Sequence, residues 1–145
     1  MKKQADPRMH TAEHILNRAM IRMFVGCGRC FSAHIERRKS KCDYRFDHAL
    51  SHYEIYEIQS RVNRVITNDL PVTESLILRD DAEKLYNTDK LPDDVNGSIR
   101  IIHIGDYDAC PCIGEHVAST GEIGAFSITT TSYDDGILRI RFKLS

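Results

Sequence analysis

Residues 126–144 have the sequence FSITTTSYDDGILRIRFKL, in which two strand-like segments flank a short acidic turn. The segments are residues 126–132 and 137–144, and the turn is Asp134-Asp135-Gly136. Asp-Gly between two such segments is typical of a tight β-hairpin, because both residues tolerate the positive φ angles of these turns. The sequence therefore predicts a hairpin, and with it an antiparallel sheet.

Upstream of the hairpin, two segments have the apolar spacing of amphipathic helices. The first begins at Asp6-Pro7, because aspartate caps a helix and proline suits its first turn, and it is predicted to end at Gly26. The second begins at Ser51-x-x-Glu54, which is a capping box. The remaining predicted elements are strands at residues 28–35, 41–46, 72–78 and 99–104, a short helix at 80–86 and a loop at 87–97.

The chain has 145 residues, a net charge of −1 and five cysteines. This length favours one domain, so residues 1–145 are predicted to form a single α+β domain in which an antiparallel sheet packs with two longer helices. The sequence has no long apolar run, which excludes a transmembrane helix, and the N-terminus has no signal-peptide pattern. The odd number of cysteines then predicts a reducing, cytoplasmic location. Any contact with nucleic acid must depend on a local basic patch, because the net charge is near zero.

Two short motifs, far apart in the sequence, carry side chains that bind metals. His10 and His14 are four residues apart in the first predicted helix, which places both imidazoles on one face. Cys112 and His116 repeat this spacing with a thiolate and an imidazole. Three nitrogen ligands and one sulfur ligand favour zinc over magnesium or calcium. We therefore predict a Zn2+ site formed by these four residues, which requires the first helix to pack beside the segment after residues 99–104.

These motifs and their surroundings resemble a known family. HTAEH at residues 10–14 and CIGEH at residues 112–116 resemble the paired HxxxH and CxxxH motifs of the alanyl-tRNA synthetase editing domain. The same fold occurs in the second N-terminal domain of threonyl-tRNA synthetase. STGEIG at residues 119–124, YRFD at 44–47 and NDLPV at 68–72 extend the similarity over nearly the whole chain. The chain most resembles the free-standing alanyl-tRNA editing proteins of the AlaX type.

This resemblance implies an activity, a cofactor and a partner. Members of the family hydrolyse the ester that joins a wrong amino acid to the 3′ end of a tRNA. A synthetase pocket built for alanine rejects a close analogue by only about 10²-fold, so a second site must remove the error. The resemblance implies zinc-dependent hydrolysis of mischarged aminoacyl-tRNA, with Ser-tRNA(Ala) and Gly-tRNA(Ala) as substrates. Ile113 and Glu115 depart from the usual CGGTH of the synthetase, and Cys110 is a second thiol near Cys112.

Other residues near these motifs are candidates for catalysis and for amino-acid binding. Glu13 is a candidate base or a partner of an imidazole, and Thr11 is a candidate donor to the ester or to the helix backbone. In the resembled family, the strand after the first helix lines the amino-acid pocket. Ser32 and His34 share a face of that strand, so they are candidate substrate-binding residues.

Basic residues predict where the tRNA end makes contact. The densest cluster lies in the turn after this strand and contains Arg37, Arg38 and Lys39. It is a candidate binding site for phosphates of the tRNA acceptor end. Arg18 and Arg22 continue the face of the two histidines by steps of four residues, so they are candidates for the site entrance.

Alternative interpretations stay open. His10, Glu13 and His14 also match the inverted zinc-peptidase motif HxxEH, in which the glutamate is the general base, so another small zinc-dependent hydrolase is one alternative. A non-catalytic zinc- or RNA-binding domain is a second. Cys27 and Cys30 form a C-x-x-C motif, for which coincidental spacing is favoured because no second pair accompanies it. Chelation distinguishes an enzyme, which loses activity, from a binding domain, which is only destabilised.

Overall fold

The computed structural model describes residues 6–86, 88 and 97–145. Within these residues the chain forms a 3-10 turn, three α-helices and seven strands. The helices are α1 (Pro7–Met23), α2 (His52–Thr67) and α3 (Arg79–Leu85), and the 3-10 turn is Thr120–Ile123. The strands are β1 (Ser32–Ile35), β2 (Ser40–Arg45), β3 (Val72–Leu78), β4 (Ser98–Ile104), β5 (Asp108–Pro111), β6 (Phe126–Asp134) and β7 (Ile137–Leu144). In this part of the chain, no helix has the length and apolar character that a membrane crossing requires.

The strands form two antiparallel sheets, so the predicted α+β fold is confirmed. The larger sheet has the order β1-β2-β7-β6 and contains the predicted hairpin, whose turn residues Asp135 and Gly136 have φ angles of 48° and 79°. The smaller sheet has the order β3-β4-β5. The sequence did not predict β5, because its four residues include proline and cysteine and show no apolar alternation. Strand β1 is also shorter than predicted, since pairing with β2 begins only at Phe31, whose N–H donates to the carbonyl oxygen of Asp43.

The N-terminal ends of the two longer helices follow the predicted capping, whereas α1 ends at Met23, before the predicted Gly26. The Asp6 carboxylate accepts hydrogen bonds from the backbone N–H groups of Arg8 and Met9, at 2.9 Å and 3.3 Å. Ser51 and Glu54 form the predicted capping box of α2. The short α3 begins one residue before the predicted position and has no side-chain cap. The loop predicted at residues 87–97 lies mostly outside the described residues.

Polar side chains fix how the two longer helices lie on the larger sheet. Asn17 of α1 is buried, and its Oδ1 accepts hydrogen bonds from the Tyr44 hydroxyl at 2.7 Å and from the Cys30 N–H at 3.1 Å. Asn63 of α2 forms two hydrogen bonds with the backbone of Phe126. The side-chain oxygen of Asn63 accepts from the Phe126 N–H, and its side-chain NH2 donates to the Phe126 carbonyl oxygen, both at 2.8 Å. The apolar faces of both helices and of the sheet form one core, and this packing holds α1 against the sheet.

Backbone hydrogen bonds then place the segment after β5. The N–H of Cys112 donates to the carbonyl oxygen of Arg100 at 3.2 Å, which extends the pairing beyond β5. At its other end, Ala118 accepts a hydrogen bond from the N–H of Val72 at 2.9 Å. Residues 112–118 are therefore held at both ends by the smaller sheet, and this brings Cys112 and His116 against α1.

Candidate metal centre

Four side chains converge where α1 meets the segment after β5. His10 and His14 come from one face of α1, and Cys112 and His116 come from the other segment. One nitrogen or sulfur atom from each residue can be chosen so that all four lie within 4.8 Å of one another. The imidazole rings have centroids 4.4–5.2 Å apart. The structure thus brings together the residues that the two motifs predicted.

The spacing of these atoms suits a single zinc ion. Sγ of Cys112 lies 3.3 Å from Nε2 of His10 and 3.5 Å from Nε2 of His116. In a tetrahedral site with Zn–S near 2.3 Å and Zn–N near 2.0 Å, a sulfur and a nitrogen ligand are about 3.5 Å apart. The measured separations therefore match those of ligands that share one ion.

The cluster also selects one of the two neighbouring cysteines. Burial opposes ionisation of the Cys112 thiol, but contacts with the three imidazoles outweigh it and lower the pKa to about 3. The N–H of Gly114 adds a contact to the sulfur at 3.4 Å. Burial instead raises the pKa of Cys110 to about 11, so this residue remains a thiol. Because metals bind the thiolate, Cys112 is the favoured ligand, and Cys110 lies outside the cluster.

Thr11 sets the tautomer of His116. Its hydroxyl donates to the carbonyl oxygen of Pro7 at 2.9 Å. Because this uses its only proton, the hydroxyl must accept from Nδ1 of His116, at 2.9 Å, and from the N–H of Val117, at 3.2 Å. The imidazole proton is therefore on Nδ1, and Nε2 presents a lone pair to the cluster. Thr11 is fully buried, so these contacts support a positioning role.

Asp108, which the sequence did not predict as a site residue, lies next to His14 on the side away from the cluster. Its buried carboxylate accepts hydrogen bonds from Arg18 at 2.8 Å and from two nitrogens of Arg29 at 2.9 Å and 3.0 Å. Burial opposes its ionisation, but contacts with His14 and Arg29 hold its pKa below the usual range. The carboxylate lies 3.7 Å from Nδ1 of His14. Burial opposes protonation of this imidazole, yet Asp108 and Cys112 raise its pKa to about 9.

This ion-pair network corrects one prediction. Arg18 was expected at the site entrance, but its guanidinium pairs with the buried carboxylate of Asp108 instead. The side chain of Asp108 is completely buried, so its charge needs these partners. Arg18 therefore stabilises the interior behind the cluster. A short Asp-containing strand gives no sequence signal for such a role, and only the packing of α1 on β5 reveals it.

The loop that carries Cys112 packs tightly against His10. Arg100 donates to the carbonyl oxygens of Cys112 and Gly114, at 3.3 Å and 2.7 Å. A Cβ atom on Gly114 would lie 2.2 Å from Cε1 of His10. Only glycine therefore fits between this loop and the ring. The signal that could have identified Gly114 is in the motif, because it is the glycine that CIGEH shares with the synthetase motif CGGTH.

The chemistry of the four donors fits zinc. Imidazole nitrogens and thiolates are the usual zinc ligands in proteins, and four such donors can fill a tetrahedral site. Nδ1 of His10 and Nδ1 of His14 are buried and have no hydrogen-bond partner among the described residues. These Nδ1 atoms are not the donors nearest the thiolate, because Nε2 of His10 lies 3.3 Å from Sγ of Cys112 and Nδ1 of His14 lies 3.7 Å from Asp108. The cluster is therefore a site that can hold one metal ion.

The structure places the other predicted catalytic and amino-acid-binding residues outside this cluster. Glu13 is half-buried on α1 and accepts a hydrogen bond from Asn17 at 3.5 Å. Ser32 and His34 are exposed on β1, which is an edge strand of the larger sheet. His34 pairs with Glu36 at 2.9 Å. The roles assigned to Glu13, Ser32 and His34 remain predictions.

The predicted basic turn lies beside the histidine-bearing end of α1. Arg37, Arg38 and Lys39 are exposed between β1 and β2. Ser40 closes the turn, and its hydroxyl contacts the sulfur of Met9 at 3.3 Å. Met9 directly precedes His10, so the turn packs against the first turn of α1. Its role in tRNA binding stays a prediction.

Comparison with known proteins connects this site to tRNA synthetases. Residues 99–141 match the family described as "Threonyl and Alanyl tRNA synthetase second additional domain". The chain is 32% identical over 136 residues to the alanine–tRNA ligase of Halorubrum lacusprofundi, which covers 92% of the chain. It is 30% identical over 141 residues, 97% of the chain, to that of Fervidobacterium nodosum. The ligase of Methanopyrus kandleri is 31% identical over 138 residues, 93% of the chain.

The fold and the cluster thus occur in a chain whose residues 99–141 match the second additional domain of threonyl- and alanyl-tRNA synthetases. More particularly, the chain is similar over nearly its whole length to one segment of alanine–tRNA ligases, so the predicted resemblance to alanyl-tRNA synthetase is confirmed. It spans about 15–16% of the length of these relatives.

Proposed function

We propose that this domain hydrolyses the ester bond of mischarged aminoacyl-tRNA, and that His10, His14, Cys112 and His116 hold a zinc ion for this reaction. The observation that carries the proposal is the convergence of four ligand atoms within 4.8 Å. It occurs in a chain related to ligases that are named for alanine and tRNA. Mischarged tRNA(Ala) is therefore the proposed substrate, and it carries serine or glycine in place of alanine.

The side chains around the cluster have distinct proposed tasks. Because four protein donors fill a tetrahedral site, bound zinc would act as a Lewis acid for the ester carbonyl by accepting a fifth ligand. Thr11 holds the proton of His116 on Nδ1, and Asp108 lies against His14, so both rings keep a fixed orientation. Gly114 leaves room for the ring of His10. Glu13 is the proposed base: it takes a proton from the water that adds to the carbonyl carbon, and it then gives this proton to the ribose oxygen as the bond from the carbonyl carbon to that oxygen breaks.

The remaining parts of the proposal concern the partner and the domain. The exposed turn with Arg37, Arg38 and Lys39 is proposed to bind phosphates near the tRNA end, and Ser32 and His34 to line the amino-acid pocket. Residues 1–145 are proposed to act as one domain. Correction of tRNA charging takes place where tRNAs are used, so the proposed location is the cytoplasm.

A deacylation assay tests the function directly. Seryl-, glycyl- and alanyl-tRNA(Ala) are incubated with the protein, with and without a zinc chelator, and the remaining aminoacyl-tRNA is counted. We expect rapid loss of serine, loss of glycine and retention of alanine, and we expect the chelator to stop the loss. Absence of hydrolysis in zinc-loaded protein would favour a non-catalytic zinc- or RNA-binding domain.

Two cysteine variants test the ligand assignment. Cys112→Ser removes the proposed thiolate ligand and is expected to abolish both zinc binding and hydrolysis. Cys110→Ser is the matched control, because this half-buried thiol lies two residues away and outside the cluster. It should retain both properties. Equal zinc content in the two variants would show that the assignment of Cys112 is wrong.

A further inference from the structure

A groove of about 400 Å³ lies at the opposite end of α1 from His10. Arg22 of α1 and Arg61 and Arg64 of α2 line it, and Tyr107 comes from the turn between β4 and β5. The lining residues include three arginines and one residue with a carboxylate, Asp106. The groove therefore concentrates positive charge in a chain whose net charge is −1.

The arginines of this groove are available for a ligand. Arg22 is oriented by a hydrogen bond to the carbonyl oxygen of Tyr107 at 3.2 Å, and its guanidinium lies 4.5 Å from the centre of the tyrosine ring. Arg61 uses only Nε, at 3.0 Å, to pair with Glu57 of the same helix. Arg64 is exposed and forms no ion pair with a carboxylate in the described part of the chain. Arg18 pairs with the buried carboxylate of Asp108, whereas these three side chains form no ion pair with a buried carboxylate in the described part of the chain.

The groove and the metal centre lie at different heights along α1. His10, His14, Arg18 and Arg22 follow one another at intervals of four residues, and each step turns by about 40°, so Arg22 lies about 120° around the helix from His10. The twelve residues between His10 and Arg22 correspond to about 18 Å at a rise of about 1.5 Å per residue. A stacked nucleic-acid strand rises about 3.4 Å per nucleotide, so this distance corresponds to about five nucleotides.

We propose that Arg22, Arg61 and Arg64 bind backbone phosphates of the tRNA strand that carries the ester, about five nucleotides before its 3′ end. This inference rests on the proposed function, because the ester must lie at the metal centre for the spacing to apply. Guanidinium groups suit phosphate, since their planar donors bind two oxygens at once. The basic turn after β1 lies at the other end of α1, so the two patches make separate contacts.

Binding of uncharged tRNA tests the groove without any need for hydrolysis. Fluorescence anisotropy of 3′-labelled tRNA(Ala) is measured between 50 and 300 mM salt for the zinc-loaded protein. The double variant Arg61→Gln/Arg64→Gln is expected to bind roughly tenfold more weakly, and its log–log salt slope should fall by about 1.5, because each lost phosphate contact lowers the slope by about 0.7–0.9. Both residues lie on the helix surface, where glutamine is compatible with α2.

A matched control removes a charge from another face. Lys143 is exposed on β7, where it alternates with buried residues, so Lys143→Gln should leave the salt slope unchanged. Wild-type affinity and slope in the double variant would overturn the proposal, and a loss confined to Arg37→Gln/Arg38→Gln would place the strand on the basic turn instead. Hydrolysis of seryl-tRNA(Ala) by the wild type shows whether the groove assignment alone is wrong or the proposed function is wrong as well. If the ester is cleaved while the groove variant binds normally, only the groove assignment is wrong, whereas neither cleavage nor binding would refute the proposed function as well.

Discussion

Replacing Gly114 by alanine is expected to remove His10 from the cluster while leaving the fold intact. The added Cβ would lie 2.2 Å from Cε1 and 2.5 Å from Nδ1 of His10, whereas ordinary van der Waals contact begins at 3.4 Å. Either the ring or the loop must therefore move by about 1.2 Å. The loop is held by Arg100, which donates to two of its carbonyl oxygens, so we expect most of the movement in the ring.

A displacement of this size exceeds what a zinc site tolerates. Ligand distances in genuine sites agree with ideal values to about 0.2 Å, so a shift of about 1.2 Å breaks the bond to His10. Loss of an outer contact alone typically lowers metal affinity by about 10- to 100-fold, and loss of a ligand should cost at least the upper end of this range. Hydrolysis should fall in parallel.

The assay is a competitive zinc titration against a chromophoric chelator, with circular dichroism as a check on folding. Gly28→Ala is the matched control, because a Cβ at Gly28 meets no atom within 4 Å and the backbone there has no positive φ. This variant should bind zinc like the wild type. If Gly114→Ala also binds zinc with unchanged affinity, then His10 is not a ligand or the loop moves freely, and the reasoning fails.

Three further predictions concern the groups behind the ligands. Thr11→Val removes the acceptor of the His116 proton and should weaken zinc binding about tenfold in the same titration, whereas Thr11→Ser, which keeps the hydroxyl, should restore it. Asp108→Asn should lower the free energy of unfolding by about 3 kcal/mol in urea, because it leaves two arginines without their carboxylate, while Asp106→Asn on the exposed turn should change it little. Because the pKa of His14 is about 9 in the metal-free protein, zinc must displace its proton. Calorimetry in buffers of different ionisation enthalpy should count about one proton released at pH 7.5, with affinity rising about tenfold per pH unit up to pH 9.

The sequence predicted those parts of the structure that have local causes. Asp6 and the Ser51–Glu54 pair fixed the starts of both long helices through hydrogen bonds within one turn. The Asp135-Gly136 turn fixed the hairpin, because few residues adopt its positive φ angles. The two pairs of candidate ligands were also predictable, since spacing by four residues places both members of each pair on one side.

What the sequence did not predict depends on contacts between distant segments. The existence of β5 follows from pairing with β4, and its own four residues carry no strand signal. The division into two sheets has the same origin, because strand order is set by long-range pairing. Asp108 and Gly114 matter only because α1 packs against them. Their roles can therefore be recognised only from a structure that shows α1 packed against them.

The Asp108 network has a consequence for the metal-free protein. Arg18 lies four residues after His14 on α1, and Asp108 lies four residues before Cys112. The two segments that supply the ligands are thus also joined by a buried ion pair at 2.8 Å. We expect this pair, together with the shared apolar core, to hold the ligands close together even without zinc.

The domain should therefore differ from small zinc modules that unfold when the metal is removed. Chelated protein is expected to keep its far-ultraviolet circular dichroism and a cooperative thermal transition, with a lower midpoint, because zinc adds only its binding free energy to the folded state. Activity should vanish under the same conditions and return when zinc is added. Loss of the cooperative transition on chelation would contradict this expectation, since the ion, and not the Arg18–Asp108 pair, would then hold the two segments together.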